Sequence, residues 1–272
     1  MDEIDKFLEE DLGEGDVTSD ALFANEQGRG CVYLKEGAVL AGLAEAKEVF
    51  ERVGCKVKLL REEGSRAEKG AKMLEVSGKV RSILGAERVA LNFLARMSGI
   101  ATQTREMLTM CKKVNPNVSV AGTRKTTPGF RKWEKRAIIM GGGEPHRMGL
   151  WDAVLIKDNH LAVVGSVEEA IKKVKEKIDD RPIEIEVTNL KDAEIAARLE
   201  VDAIMLDNLP PSKGKKIAEA VRKINPKILI EVSGGINPKN IASYASYPDR
   251  ISCGCLTHSV KSIDFSLEMI KS

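Results

Sequence analysis

The rhythm of apolar positions changes once along this chain, near Asn115, Pro116 and Asn117. After that point short β-rich runs recur at residues 118–121, 153–157, 183–187, 203–206, 228–232 and 251–255. Stretches of helical period fill the gaps at 167–178, 190–199, 212–224 and 240–245. Strands alternating with helices at this spacing predict a parallel sheet with helical crossovers. A seventh strand is placed near 137–140, and the set suits a barrel or a doubly wound sheet.

The first part of the chain is mixed. Residues 1–20 read as a short helix followed by a Gly- and Asp-rich turn, with Thr18 or Ser19 as a cap. Runs 30–34 and 56–60 read as strands, and 44–53 has helical period and stops at Gly54. This predicts a small α+β layer. Residues 83–112 form a long amphipathic helical region, bent or interrupted at Ser98-Gly99. The organisation expected is an N-terminal α/β domain over 1–112 and an α/β barrel over 113–272, with a C-terminal helix packing back on the first domain.

Strand ends carry the chemistry. Lys157 follows one apolar run, Glu186 ends another, Asp207 follows a third, and Ser233-Gly234-Gly235 follows a fourth. In a barrel such ends converge on one mouth, and the last two strand–helix loops are a common phosphate site. Here those loops are Ser233-Gly234-Gly235 and Gly254-Cys255-Leu256-Thr257-His258-Ser259, each leading toward a helix N-terminus, while Cys253 and Cys255 alternate on one strand face as packing residues. Glu184 shares the strand face of Glu186 and could replace it; Glu231 is placed to face inward.

Composition narrows the partners. The chain has 272 residues, with 43 Lys+Arg against 41 Asp+Glu and a net charge of +2. That balance offers no field for nucleic acid or a membrane surface. Positive charge is instead local, crowded between Gly122 and His160 around glycines and a Thr-Thr pair, which points to a small polyanionic ligand. Phe130 and Trp133 could in principle stack on nucleic acid, but the even charge argues against it. The acidic start lacks an apolar signal region, and no apolar run approaches a membrane span. Five scattered cysteines, with no zinc spacing, suit packing in a reducing cytoplasm.

Lys157 could form a Schiff base or hold a carboxylate as a cation, and the surrounding cations favour the second. Glu186 and Asp207 suit Mg²⁺ bridging substrate phosphates, or simply neutralise Arg124, Lys125 or Lys157. His146, after three glycines and beside Arg147, is read as a ligand residue. His258 orders the phosphate loop, and His160 is left without a role. Arg96 reads as a solvated or salt-bridged helix arginine.

Several motifs together resemble one family. Residues 122–129 (Gly-Thr-Arg-Lys-Thr-Thr-Pro-Gly), 141–150 (Gly-Gly-Gly-Glu-Pro-His-Arg-Met-Gly-Leu), 155–160 (Leu-Ile-Lys-Asp-Asn-His), 206–208 (Leu-Asp-Asn), 233–235 (Ser-Gly-Gly) and 256–259 (Leu-Thr-His-Ser) resemble quinolinate phosphoribosyltransferase. Segments 11–19, 87–92 and 98–102 match too, so the resemblance runs over essentially the whole chain. Pro145 departs from it, since the family usually has Asn before the His-Arg pair.

The resemblance implies an N-terminal α/β sandwich and a seven-stranded α/β barrel. It implies that quinolinate and 5-phosphoribosyl 1-diphosphate yield nicotinate mononucleotide, diphosphate and carbon dioxide with Mg²⁺, in NAD biosynthesis. It further implies a dimer, or a hexamer of dimers, in which Arg88 reaches the neighbouring active site. Lys125, Lys157, Glu186 and Asp207 are the expected catalytic residues, with Glu186 and Asp207 toward the metal. Thr123, Arg124, His146, Arg147, Ser233, Gly234, Gly235, Cys253, Gly254, Cys255 and His258 complete the expected substrate site. A molybdate-transport-associated relative, a non-catalytic anion-binding module and a Schiff-base aldolase are the competing readings.

Overall fold

The computed structural model describes residues 3–270, so the first two positions of the expected N-terminal helix lie outside the described residues. Contacts divide the chain into two units. One holds the chain up to Arg105, Ile139–Gly142 and the residues from Val260 on; the other holds Glu106–Ile138 and Gly143–Ser259. The division therefore falls within a helix rather than at residue 112, and the chain enters the first unit three times.

The first unit opens with α1 (Glu3–Leu12) and α2 (Val17–Leu22). The cap of α2 is Asp16, not Thr18 or Ser19: its carboxylate accepts both of their amides at 3.1 Å. There follow β1 (Gln27–Leu34), β2 (Ala38–Val39), α3 (Leu43–Arg52), β3 (Lys56–Leu59), β4 (Arg66–Ala67) and β5 (Lys72–Lys79). β5 lies between β1 and β3, antiparallel to both, with Val32 opposite Leu74 and Val57 opposite Val76. α3 buries Leu43, Ala46, Val49 and Phe50, one stripe at helical spacing.

The helix α4 (Val80–Lys112) is continuous through Ser98-Gly99, where the sequence pattern predicts a break. These small residues serve close approach instead. The Ser98 hydroxyl donates to the Ala41 carbonyl at 3.0 Å and accepts its amide at 3.1 Å. At Gly99 the Lys261 backbone occupies the space a side chain would need.

The second unit contains β6 (Ser119–Ala121), α5 (Arg131–Met140), β7 (Val154–Ile156), α6 (Asp158–Val164), α7 (Val167–Lys175), β8 (Ile183–Val187), α8 (Leu190–Arg198) and β9 (Ala203–Asp207). It continues through α9 (Pro211–Ile224), β10 (Leu229–Ser233), α10 (Ile241–Tyr244), β11 (Arg250–Ser252) and α11 (Cys255–His258). Its six strands form one parallel sheet in the order β6-β11-β10-β9-β8-β7. Residues 137–140 are helix, not strand, because Trp133, Ala137 and Ile138 form a buried helical stripe. The seventh position is a single parallel bridge, Ala121 to Glu144.

The last element is also a correction. Residues expected as a C-terminal helix form β12 (Phe265–Ile270), which pairs antiparallel with the outer side of β1. Phe265 and Ile263 are buried and anchor it.

Candidate active site

Strand alternation builds the cavity of the second unit. Side chains two apart share a face, so Leu155 with Lys157, Glu184 with Glu186, Met205 with Asp207, Glu231 with Ser233, and Arg250 with Ser252 all take the inward face. Eight of these ten line one cavity of about 470 Å³, together with Gly122, Thr123, Arg124, Lys125, His146, Arg147, Asp158, Asn208, Gly234 and Gly235. The volume is that of a small-ligand site.

The loop between β6 and α5 carries two of the cavity's cations, Arg124 and Lys125, and α5 folds it. Glu134, fully buried, accepts the amide and hydroxyl of Thr127 at 3.1 and 3.0 Å. Arg131 donates to the Thr126 hydroxyl at 2.8 Å and to the Met148 carbonyl at 3.1 Å. Thr257, on α11, donates to the Lys125 carbonyl at 2.7 Å. Arg124 Nε is buried and unpartnered among the described residues. A buried donor without an acceptor is costly, so it reads as a group waiting for a ligand.

On the facing strands Lys157 pairs with Glu186. His160 accepts the Lys157 amide at 2.9 Å through Nδ1, so it caps α6, which gives it a structural task. Asp207 accepts from the Asn208 side chain at 2.6 Å. Asn208 holds φ 52°, and Gly234, at φ 96°, lies so close to it that a β-carbon would collide. This pins the Ser-Gly-Gly loop beside Asp207.

His146 does not face the ligand simply as a donor. Its Nδ1 accepts the Arg147 amide at 2.8 Å, and its Nε2 lies 3.4 Å from Glu184 and 3.3 Å from Glu231. Both contacts are to the Oε2 atoms and are ionic distances without directed hydrogen bonds, since Nε2 has no hydrogen-bond partner; the other oxygens, Glu184 Oε1 and Glu231 Oε1, are unsatisfied as well. Burial lowers the His146 pKa, but the two carboxylates outweigh it and raise the value to about 9. The amide at Nδ1 pulls the other way, toward a neutral ring protonated on Nε2. Burial raises Glu184, whereas Glu231 is held below its usual value because His146, Ser252 and Arg250 outweigh its burial. Arg250 completes the layer, 3.3 Å from Glu231 and 2.8 Å from Glu144.

Not every expected residue meets this cavity. Cys253 is buried and its amide is spent on the Ala121 carbonyl at 2.9 Å. Cys255 is buried with Sγ against the Ile236 carbonyl. The two do not share a strand, because β11 ends at Ser252 and Cys255 opens α11. Gly254 sits beside the Lys125 side chain, outside the lining. His258 is exposed and its ring pairs with Ser259 at 2.6 Å. Trp133 is buried against Phe130 and offers no stacking face. Arg88 belongs to the first unit, exposed on α4.

Sequence reasoning did not single out Arg250 or Lys135, and it named Asn208 and Thr257 only as members of motifs, without a role. The period-2 face that finds Glu231 and Ser233 would also have found Arg250 and Ser252. Thr257 stands in the Leu-Thr-His-Ser motif, but nothing in that motif says that its hydroxyl holds the Lys125 carbonyl. As for a metal, Glu186 and Asp207 present oxygen donors to the cavity that holds the cations, which suits Mg²⁺. A deeper trio, His146, Glu184 and Glu231, has ligand atoms within 4.8 Å of one another. Arg250 already balances it, and the Arg147 amide holds the ring.

Comparison with known proteins places the chain in a family. The quinolinate phosphoribosyl transferase C-terminal domain matches residues 100–268, and the N-terminal domain matches residues 16–98. A probable nicotinate-nucleotide pyrophosphorylase (carboxylating) of Methanocaldococcus jannaschii is 45% identical over 273 residues, covering 98% of this chain and 95% of that protein. The Mycobacterium leprae nicotinate-nucleotide pyrophosphorylase is 38% identical, over 98% of this chain and 96% of its own. The crystal structure of NadC from Streptococcus pyogenes superposes with a TM-score of 0.91 at 38% identity, over 98% of this chain and 96% of that one. With both family domains matched in order, and the cavity built from the motif residues, the chain belongs to the quinolinate phosphoribosyltransferase family.

Proposed function

We propose that this chain is a nicotinate-nucleotide pyrophosphorylase (carboxylating), which joins quinolinate to 5-phosphoribosyl 1-diphosphate in NAD biosynthesis. The observation that carries this reading is the cavity itself: Arg124, Lys125, Arg147 and Lys157 converge on one hollow, with Arg124 Nε unsatisfied. Quinolinate brings two carboxylates and the co-substrate several phosphate charges, so both need such a wall.

Arg124 and Arg147 hold the quinolinate carboxylates, and Lys157, oriented by Glu186, holds its charge against the sugar. The pyridine nitrogen forms a bond to the anomeric carbon as the bond to diphosphate breaks. Charge develops as in an oxocarbenium ion, so positioning and electrostatics supply the acceleration. Once ribosylated, the ring nitrogen is cationic. The bond to the 2-carboxylate then breaks, carbon dioxide leaves, and the electron pair stays on the ring carbon until a proton replaces it. Glu186 and Asp207 would hold Mg²⁺, which when bound neutralises charge on the departing diphosphate. Ser233, Gly234 and Gly235, pinned by Asn208, form the 5-phosphate end.

The finer reading is a homodimer in which Arg88 of one subunit completes the site of the other, in support of which Arg88 is exposed and outside its own cavity lining. Among the described residues no helix is long and apolar enough to cross a membrane. Five free, buried cysteines fit a reducing compartment such as the cytoplasm.

The test is direct. Incubated with quinolinate, 5-phosphoribosyl 1-diphosphate and Mg²⁺, the protein should release nicotinate mononucleotide, diphosphate and carbon dioxide in equal amounts. Binding of both compounds without diphosphate release would leave only an anion-binding module.

A further inference from the structure

We propose that Lys135 is a positioning residue for the quinolinate end of the pocket: its buried ammonium grips the Pro145 carbonyl and so fixes the turn that aims Arg147 into the cavity. The inference rests on the reading of that pocket given above, and it deepens it.

Lys135 lies on α5 and is 1% exposed, among the largest fully buried side chains of the protein. Its Nζ donates to the Pro145 carbonyl. The next residue, His146, holds φ 54°, a backbone region that side chains other than glycine rarely adopt. Arg147 follows, buried, with its amide on the His146 ring and its guanidinium donating to the Ala153 carbonyl at 3.3 Å. A strained turn persists only where its surroundings hold it. Here the holders are Lys135 from one side and the Glu184–Glu231 pair, through the His146 ring, from the other.

The charge on Lys135 is unexplained by stability. No carboxylate lies within ion-pair distance of it among the described residues. Glu134, next to it on α5, is occupied by Thr127. Burial first, then Arg131, Arg124 and Arg147, lower its pKa to about 8, with Asp152 alone opposing them. A methionine would fill the same volume without that cost. A buried cation beside two arginines of an anion pocket makes sense when the missing countercharge arrives with the ligand. A bound dicarboxylate should therefore raise the proton affinity of Lys135.

The sign follows. Below about pH 8 the ammonium is already protonated and grips Pro145. As pH rises through that value, binding must first restore the proton, so quinolinate affinity falls. The experiment measures steady-state KM for both substrates from roughly pH 6.5 to 9.5, in wild type and Lys135→Met. At pH 7 the variant should raise the quinolinate KM about ten-fold or more, the scale of one lost charge-assisted contact. Its kcat and its KM for phosphoribosyl diphosphate should move much less. Wild-type quinolinate KM should climb through about pH 8, and the variant should lack that climb.

An unchanged quinolinate KM in Lys135→Met, or a variant that keeps the wild-type pH profile, overturns the proposal. Should Lys135→Met fail to fold, the wild-type profile decides alone: a quinolinate KM flat from pH 7 to 9 overturns it. A wild type that makes no nicotinate mononucleotide instead sinks the reading of the pocket. Normal wild-type turnover with an indifferent variant sinks only the role of Lys135.

Discussion

Arg124 brings to the cavity one guanidinium nitrogen that nothing among the described residues satisfies. Replacing it with alanine removes a ligand contact and no core. Arg124→Ala should therefore lower kcat/KM for quinolinate by about 10- to 150-fold, the equivalent of roughly 1.5–3 kcal/mol, with an unchanged melting temperature. Normal turnover would remove Arg124 from the site. The proton on His146 supports a second expectation. Its pKa is raised to about 9, so the stability it contributes is complete below about pH 6.5 and is lost as pH rises toward 9. Lys135 has the opposite sign: its pKa is lowered to about 8, and its burial penalty is relieved above that. Melting temperature should fall from roughly pH 6.5 to 8 and level off above it. A flat melt below pH 8 would mean that the Arg147 amide keeps the imidazole neutral. At this scale the strand ends were legible: Lys157, Glu186 and Asp207 each close an apolar run, and all three line the cavity. Cys253, Gly254 and Cys255 fall outside the cavity lining because their strand stops at Ser252, three residues before the end that the apolar run suggests.

At the scale of elements, α4 sets two rules of thumb against each other. Glycine within a helix costs about 1 kcal/mol relative to alanine, so Gly99→Ala should stabilise by propensity alone. The Lys261 backbone fills the place of the new methyl group, and overpacking costs about 1–3 kcal/mol, more when the obstacle is backbone. Packing wins, so Gly99→Ala should lower the melting temperature by several degrees; a rise would show that the contact yields easily. The Ser98-Gly99 pair reads in the sequence as a break because its partners, Ala41 and Lys261, are distant in the chain. Alternating β8, β9 and β10 were legible almost residue for residue, since each is bounded by polar turns. Residues 137–140 looked like a strand because their apolar run is short. The decisive Trp133, one turn earlier, gains meaning only when its burial is known.

For the whole molecule, the shared-site reading makes a test that neither unit alone could satisfy. Arg88→Ala and Lys157→Ala should each be nearly inactive. Mixed and reassembled in equal amounts, they should recover about a quarter of wild-type activity, because half the dimers would be hybrids with one intact site each. No recovery would place Arg88 outside any neighbouring site. The sequence led to the expectation of two units with the C-terminal segment packed back on the first, and Val260 onward does belong to the first unit; what it did not show is that this segment is β12 rather than a helix, or that the division falls at Arg105. Amphipathic spacing was a poor guide there: a short run such as Phe265–Ile270 satisfies either period, and β1 decides by offering an open edge. That pairing has a consequence during synthesis. Arg29 finds its partner Ile270 only after some 240 further residues have been made. Until residues 265–270 have been made, the outer edge of β1 stays open as a template for other strands, while β5 can cover its other edge.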